Sequence, residues 1–173
     1  MERFMELYQT VYGDLYRLAY YYMGNAQDAE DAVQDAVLSA YEHFGGLKKE
    51  ESFRSWIFRI LVNRCKKSLK NRKRQAIPAE EIHKTLESGE TAFDSQTEML
   101  ELLSVLNDEE RLIVTLTVFG GYKGEEIARI LRRNHNTIRT KYRRALKKLE
   151  QEFLRVNGAG YRYGKSRGKE GQK

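Results

Sequence analysis

The sequence predicts an all-α protein of two small helical domains joined by a flexible acidic linker. Apolar residues recur at three- and four-residue steps over most of the 173-residue chain, which is typical of amphipathic helices. The only proline is Pro78, so helices elsewhere are free of proline breaks. Around Pro78 the periodicity stops and acids dominate. We therefore expect a first domain at 1–76, a linker at 77–96, a second domain at 97–156 and a disordered basic tail at 157–173.

The composition of the chain bounds its partners and its location. The net charge is +6 and the pI is about 9.3, which favours polyanionic partners only weakly. Cys65 is the single cysteine, so we expect no internal disulfide. The N-terminus lacks the pattern of a secretion signal and no apolar run is long enough to cross a bilayer, so we expect a cytoplasmic protein.

The first domain is predicted to contain three helices, at about residues 3–22, 28–44 and 53–70. Gly24-Asn25 ends the first of them and Gly45-Gly46 ends the second, because glycine adopts the left-handed conformation that closes a helix. A polar loop with the sequence LKKEES precedes the third helix.

The second and third helices of this domain carry opposite charges. The second sets acids and a glutamine beside an apolar stripe, whereas the third surrounds Phe53 and Trp56 with arginine and lysine. A charged face on a single helix is most often only solvated. An acidic helix followed by a basic one is instead expected of a protein that binds another protein and DNA together.

The second domain is predicted to begin with a helix from Thr97 to Leu106. Asn107 and Glu110 have the spacing of a capping box, which indicates a new helix that stops at Gly120-Gly121. Within the linker we expect no more than a short helix around 80–86.

Residues 125–149 then predict two helices with a tight junction. Asn134 is the expected N-cap of the second helix, which is nearly free of acids until Glu150. Outside its apolar face this helix presents asparagine and threonine near its start and basic residues throughout, a pattern that suits a major groove. A helical hairpin with a solvated basic face is the alternative, and the short capped junction favours DNA binding over it.

Four motifs follow one another along the chain. They are AEDAVQDA at 29–36, F-x-x-W-I-x-R-I-x-x-N-R at 53–64, LNDEERLIVTL at 106–116 and the helix pair at 125–149. Their order and spacing resemble the extracytoplasmic-function (group IV) sigma factors of bacterial RNA polymerase, in the sigma-70 family. The resemblance covers nearly the whole chain up to about Leu149.

This resemblance implies an alternative sigma factor that directs core RNA polymerase to promoters by recognising −10 and −35 elements. The first domain corresponds to sigma region 2 and the second to region 4. The implied partners are the clamp helices of the largest polymerase subunit, the flap of the second subunit, promoter DNA and an anti-sigma factor, which relatives commonly link to the membrane. No small-molecule substrate is implied.

The resemblance also implies which residues make these contacts. Residues implied in binding core polymerase are Asp28, Glu30, Asp31, Gln34 and Asp35. Those implied at the −10 element are Lys48, Lys49, Ser52, Phe53, Arg54, Trp56, Arg59, Asn63, Arg64 and Lys67. Those implied at the −35 element, within a helix-turn-helix at 125–144, are Arg133, Asn134, His135, Asn136, Thr137, Arg139, Thr140, Lys141, Arg143 and Arg144.

Several positions depart from the family pattern. Arg132 and Arg133 stand where relatives usually have glycine and an apolar residue. Lys123 replaces the serine that caps the first helix of the pair, and Asn107 stands where relatives often have proline. The fold is expected to tolerate these changes, while the exact −35 contacts of relatives are not expected to carry over unchanged.

Two other functional classes compete with this interpretation. An enzyme is disfavoured because the three histidines are scattered and Cys65 has no ligand neighbour, so we expect no catalytic residues, no metal and no cofactor. A redox role for Cys65, flanked by two cations, is the less favoured reading of that residue. A stand-alone helix-turn-helix regulator shares the second domain but leaves the acidic face of the first unexplained.

Overall fold

A computed structural model of the protein describes residues 2–74 and 92–157, and all regular structure within these ranges is helical. The α-helices are α1 (Glu2–Gln9), α2 (Tyr12–Met23), α3 (Ala26–His43), α4 (Phe53–Arg74), α5 (Ala92–Ser104), α6 (Asp108–Val118), α7 (Gly124–Leu131) and α8 (His135–Asn157). The first four form the first domain and the last four form the second. The predicted all-α class with two helical domains is therefore confirmed. No helix within the described ranges is long and apolar enough to span a bilayer.

The predicted single helix at 3–22 is wrong, because the chain turns between α1 and α2. The Thr10 hydroxyl donates to the carbonyl oxygen of Leu7 at 2.6 Å, and this local bond competes with the helical ladder. Val11 follows with φ −120°, outside the helical region. Both Val11 and Phe4 are buried, so the turn directs the apolar side of α1 into the core.

Helices α2, α3 and α4 pack together as the body of the first domain. Gly24 closes α2 in the left-handed conformation, with φ 84°, as predicted. Two short 3-10 turns, Phe44–Gly46 and Glu50–Ser52, connect α3 to α4. The core side chains contributed by the three helices include Leu15, Leu18, Met23, Ala29, Ala36, Ile57, Phe58, Leu61 and Cys65.

Helix α5 begins at Ala92, earlier than the predicted start at Thr97. The prediction followed apolar periodicity, which is weak before Met99 because only Ala92 and Phe93 are apolar there. The capping box at the start of α6 is present as predicted: the Asn107 side chain accepts the Glu110 N–H at 2.9 Å, and the Glu110 carboxylate accepts the Asn107 N–H at 3.1 Å. The expected short helix at 80–86 and the basic tail lie outside the described residues.

The junction of the helix-turn-helix lies between α7 and α8. Arg132 ends α7 in the left-handed conformation, with φ 52° and ψ 49°, at the position where glycine is usual. The Arg133 N–H bonds to the carbonyl oxygen of Ala128 at 2.9 Å, which closes the helix end. Asn134 then accepts the Asn136 N–H at 2.8 Å and opens α8, as its predicted role as N-cap requires.

The two domains contact each other through the turn after α6. Phe119 stacks on Tyr21 of α2 with ring centroids 4.6 Å apart, and Tyr122 lies edge-on to Phe58 of α4 at 5.4 Å. Gly120 permits this close approach, because a Cβ atom there would lie 2.7 Å from the Tyr122 ring. A single apolar cluster therefore runs from the first domain into the second.

Candidate nucleic-acid interface

Asp28, predicted to bind polymerase, lies at the start of α3 and is engaged within the chain. Its N–H donates to the Asn25 side chain at 2.8 Å, which caps the helix. Its carboxylate accepts hydrogen bonds from the Asn25 amide at 2.8 Å and from Arg72 of α4 at 2.5 Å. Asp28 therefore ties α3 to α4, and its carboxylate is less available to a partner than those further along the helix.

The other four predicted polymerase-binding residues lie on one exposed face of α3. They are Glu30, Asp31, Gln34 and Asp35. Their apolar neighbours Ala29, Ala32, Val33 and Ala36 are buried, so the packing of α3 forces the polar set outward.

Leu38 belongs to the same exposed face and was missed from the sequence. It lies one turn beyond Gln34 and is 64% exposed, which is unusual for leucine. Leu38 follows Gln34 by four residues, and this spacing places both on the same side of a helix. It was the sequence signal that could have identified Leu38. The face therefore combines acids with an exposed apolar residue, as protein interfaces do.

A basic face runs along α4, from Trp56 towards its C-terminal end. Arg59, Asn63 and Lys67 follow Trp56 at helical spacing and are exposed, while Trp56 and Arg64 are half-buried. Aromatic and basic side chains in one row can stack on bases and neutralise phosphates of a single strand. The loop before this face adds the exposed residues Lys48, Lys49 and Ser52.

Phe53 heads this helix but lies in the core, where it is 2% exposed. Its ring packs edge-on against Phe4 and Phe44, with centroids 5.7 and 5.9 Å away. It also contacts the Trp56 ring at 6.1 Å. Phe53 therefore supports Trp56 from beneath and does not itself reach a base.

Arg54 points away from the basic face and towards the second domain. One terminal nitrogen donates to Asp14 and to the carbonyl oxygen of Gly120, both at 3.0 Å. The guanidinium carbon also lies 4.9 Å from the Phe58 ring centroid. In this arrangement Arg54 holds the domains together, so the predicted contact between Arg54 and DNA requires it to leave these partners.

The exposed side of α8 carries most of the predicted −35 contacts. Ile138 and Ala145 are fully buried and fix which side faces outward. The exposed residues at the junction and along the helix are Arg133, Asn134, His135, Asn136, Thr137, Arg139, Thr140, Arg143 and Arg144. This side presents side chains able to read base edges near the start of the helix and cations further along.

Lys141 differs from these residues, since its side chain is only 31% exposed. Its ammonium nitrogen lies 3.0 Å from Glu109 of α6, and Arg133 approaches the same carboxylate at 3.4 Å. Two helical turns further along α8, Lys148 pairs with Glu110 at 2.7 Å. The acids of α6 thus hold part of the positive charge of α8.

Glu110 is a buried carboxylate, 4% exposed, in the first turn of α6. Burial alone would raise the pKa of this carboxyl. The hydrogen bonds that it accepts from Lys148 and from the Asn107 backbone outweigh burial, so its pKa lies below the ordinary glutamate value. Glu110 is therefore ionised at neutral pH and locks α6 to α8.

Cys65 lies in the core of the first domain and is fully buried. Burial raises the pKa of its thiol to about 12. Since the thiolate is the reactive form, the neighbouring cations of α4 do not activate it. The packing supports a structural reading of Cys65 over a redox one.

An apolar groove lies between α5 and the end of α8. It has a volume of about 290 Å³ and is lined by Met99, Leu102, Phe153 and Val156. Three glutamates, Glu98, Glu101 and Glu152, complete its rim. An exposed apolar patch with a charged rim is typical of a docking surface for another protein.

Family models match both domains. The sigma-70 region 2 model matches residues 7–75, and the sigma-70 region 4 model matches residues 96–149. The RNA polymerase sigma factor SigV of Bacillus subtilis (strain 168) is 34% identical over 134 residues, which cover 78% of this chain and 81% of SigV. The ECF RNA polymerase sigma factor SigM of Mycobacterium tuberculosis is 30% identical over 150 residues, which cover 84% of this chain and 74% of SigM.

Two solved structures share the fold. The sigma factor RpoE, in complex with the anti-sigma factor NepR from Bartonella quintana, aligns with a TM-score of 0.71 at 23% identity, over 91% of this chain and 99% of RpoE. CnrH, in complex with the cytosolic domain of CnrY, aligns with a TM-score of 0.68 at 21% identity, over 91% of each chain.

Proposed function

We propose that the two domains of this chain, which belongs to the extracytoplasmic-function sigma factors of the sigma-70 family, hold core RNA polymerase and promoter DNA together. As an alternative sigma factor it acts in transcription initiation. The observation that carries the proposal is the pairing of an exposed acidic face on α3 with a basic, tryptophan-bearing face on the adjacent α4. A protein that binds DNA alone has no use for the acidic face.

The acidic face of α3 is the surface we assign to core polymerase, specifically to the clamp helices of the largest subunit. Asp31, Gln34 and Asp35 supply charge and hydrogen bonds there, and Leu38 supplies apolar area at the same surface. Charge complementarity steers association, and a central apolar residue contributes to slow dissociation. Asp28 supports this surface by anchoring the start of α3.

The basic face of α4 and the loop before it are assigned to the opened strand of the −10 element. Trp56 is half-buried on the Phe53 ring, so it offers a fixed stacking surface to an unpaired base. Arg59, Asn63 and Lys67 extend the row and contact the backbone of the strand.

The exposed side of α8 is assigned to the −35 element in duplex form. Asn136, Arg139 and Thr140 lie nearest the capped start of the helix, where side chains of a recognition helix meet base edges. Arg143 and Arg144 follow and contact phosphates.

The apolar groove between α5 and α8 is assigned to the flap of the second polymerase subunit. Its apolar lining and acidic rim suit an amphipathic helix with basic residues at its edges. Occupation of this groove positions the second domain over the −35 element while the first domain binds the clamp.

Run-off transcription on fragmented host genomic DNA tests the proposal, with purified core polymerase in the presence and absence of this protein. New discrete starts that share two upstream elements are expected. The variant Asp31→Lys, Asp35→Lys should abolish these starts, since charge reversal turns attraction to the clamp into repulsion.

A matched control carries the same change in charge on surfaces assigned to no partner. Glu2→Lys, compared with Asp31→Lys alone, is such a variant, since Glu2 is exposed and forms no ion pair in the described parts of the chain. It should retain the starts. Equal loss in both variants would show that net charge, and not the α3 face, governs activity.

The stand-alone regulator remains the second candidate, supported by the well-formed helix-turn-helix. It predicts that the protein alone retards a palindromic duplex and that core polymerase yields no new starts with it. That pair of results would replace the sigma-factor mechanism proposed here.

We also propose an anti-sigma factor as a partner, supported by the structural relative RpoE, which is in complex with the anti-sigma factor NepR. Affinity purification of the protein from its host should recover an inhibitor besides polymerase. Recovery of polymerase alone would count against this partner.

A further inference from the structure

The first turn of α6 carries three acids, and each of them holds a cation from another element. Asp108 pairs with Lys73 of α4, and Glu110 pairs with Lys148 of α8. Glu109 differs from both neighbours because both cations that it holds belong to the predicted −35 surface.

Glu109 bridges the junction of the helix-turn-helix and the recognition helix α8. One carboxylate oxygen lies 3.4 Å from Nε of Arg133, and the other lies 3.0 Å from Nζ of Lys141. The Lys141 side chain is drawn against α6 as a result, whereas that of Arg133 stays 60% exposed. Each cation must exchange this carboxylate for a phosphate before it contributes to DNA binding.

Within the described ranges, the arginines further along the surface have no such partner. Arg139, Arg143 and Arg144 form no ion pair among the residues that the structure describes. The cations of the DNA-facing side therefore fall into two groups: arginines that are available to DNA, and the pair Arg133 and Lys141 that Glu109 restrains.

We infer that Glu109 is a specificity-determining residue: it restrains Arg133 and Lys141, and it thereby limits affinity for DNA of arbitrary sequence. The inference rests on the proposed reading of the −35 element by α8. Affinity for DNA of arbitrary sequence comes from phosphate contacts, so each cation that is released from Glu109 can bind a phosphate and increase this affinity. At a promoter, base contacts hold α8 in one register. A released cation then increases the affinity only if a phosphate lies within its reach in that register.

Glu109→Gln tests this inference in the full-length protein. Fluorescence anisotropy measures binding to a short random-sequence duplex and to a −35 duplex taken from the run-off starts, between about 50 and 200 mM salt. Affinity for the random duplex should rise about five- to tenfold, and its salt dependence should steepen by about one to two units of slope. Affinity for the −35 duplex should rise less, so the ratio of the affinity for the −35 duplex to that for the random duplex should fall.

Two control variants distinguish the release of Arg133 and Lys141 from the loss of one negative charge anywhere on the protein and from a loss of stability. Glu109→Asp keeps the carboxylate and should restore the wild-type salt slope. Glu2→Gln removes the same charge from α1, where the side chain is exposed and holds no cation in the described ranges, and should leave both affinities at wild-type values. Thermal unfolding of each variant checks that the fold is retained.

An unchanged or weaker affinity of Glu109→Gln for the random duplex would overturn the inference, as would an equal gain in Glu2→Gln. Run-off transcription with the wild-type protein tests the proposed function separately. If the wild type produces promoter-specific starts while Glu109→Gln binds arbitrary DNA like the wild type, the inference fails and the sigma-factor mechanism stands.

Discussion

The first domain is stabilised chiefly by buried rings and aliphatic side chains, whereas the second relies in part on a buried carboxylate. Around Phe4 the first domain sets the rings of Tyr41, Phe44 and Phe53 edge-on, with centroids 5.3 to 5.7 Å away. In the second domain Glu110 is buried in the first turn of α6 and bonds to Lys148 and to the Asn107 backbone.

This difference follows from the size of each core. The first domain has a long apolar face on each of three helices, so apolar burial suffices. The helices α6 and α7 are short, and the acids of α6 supplement a smaller core by fixing α6 to α8. Hydrogen-bonded ion pairs fix the orientation of α8 relative to α6 more strictly than apolar packing does, because fewer arrangements satisfy all of their hydrogen bonds. The helix assigned to the −35 element is thus held partly by charge, while the helices of the first domain are held chiefly by packing.

The largest expected effect comes from the turn that joins the two domains. In Gly120→Ala the new methyl would lie 2.5 Å from the Leu116 carbonyl oxygen and 2.7 Å from the Tyr122 ring. We expect a loss of about 3 kcal/mol in the free energy of unfolding. Because the turn couples the domains, chemical denaturation of the variant should also separate into two transitions.

Gly13→Ala is the matched control for this substitution. Gly13 lies in α2, and the nearest atom to an added methyl is the end of the Arg17 side chain at 3.9 Å. Alanine should stabilise the helix by about 0.7 kcal/mol. A loss of stability in Gly13→Ala as large as that in Gly120→Ala would remove the steric explanation.

The next largest effect is expected from Glu110→Gln, which breaks the ionic support of the second domain alone. The amide keeps much of the shape but weakens the bond to Lys148, so we expect a loss of about 2 kcal/mol at neutral pH. Native-state hydrogen exchange should show the loss in α6 and α8, with the helices of the first domain unaffected.

The pH dependence of this loss tests its electrostatic origin. The pKa of Glu110 is lowered in the folded state, so its ionisation stabilises the fold fully above the ordinary glutamate pKa of about 4.3. As the pH falls below that value and passes through the lower pKa of Glu110 in the folded state, this stabilisation is lost. The difference in stability between wild type and Glu110→Gln should therefore shrink in acid, and a constant difference would contradict the assignment.

A smaller effect of opposite sign is expected at the helix-turn-helix junction. Arg132 has φ 52°, a conformation in which a Cβ atom is strained and glycine is not. Arg132→Gly should therefore raise the free energy of unfolding by about 1 kcal/mol. Arg132→Ala removes the same charge but keeps the strain, so thermal unfolding should show no gain for it.

The smallest effect is expected from the ring pair across the domain contact. A double-mutant cycle with Tyr21→Ala and Phe119→Ala should give a coupling energy of about 0.7 kcal/mol, because the rings stack 4.6 Å apart. Tyr12→Ala, at an exposed ring of the same helix, should be additive with Phe119→Ala. A coupling of zero for Tyr21 would mean that the domains do not pack through this turn in solution.

Much of the fold was predictable because its signals are local. The closing glycine after α2, the capping box at Asn107 and the N-cap at Asn134 each depend on a few consecutive residues. The break between α1 and α2 was not predicted, since apolar spacing continues through Thr10 and only the hydroxyl bond and the buried Val11 reveal the turn. The start of α5 was placed too late because only Ala92 and Phe93 are apolar before Met99, which is too few to show a helical period.

The candidate site divides in the same way. The sequence was sufficient to predict which helices are charged and with which sign, and hence the acidic face of α3, the basic row of α4 and the basic side of α8. Which of those charges are available depends on contacts that form only in the folded protein. Asp28 is engaged by Arg72, Arg54 by the carbonyl of Gly120, and Lys141 by Glu109. Each partner lies far away in sequence, and helical periodicity gives the direction of a side chain but not what it meets there.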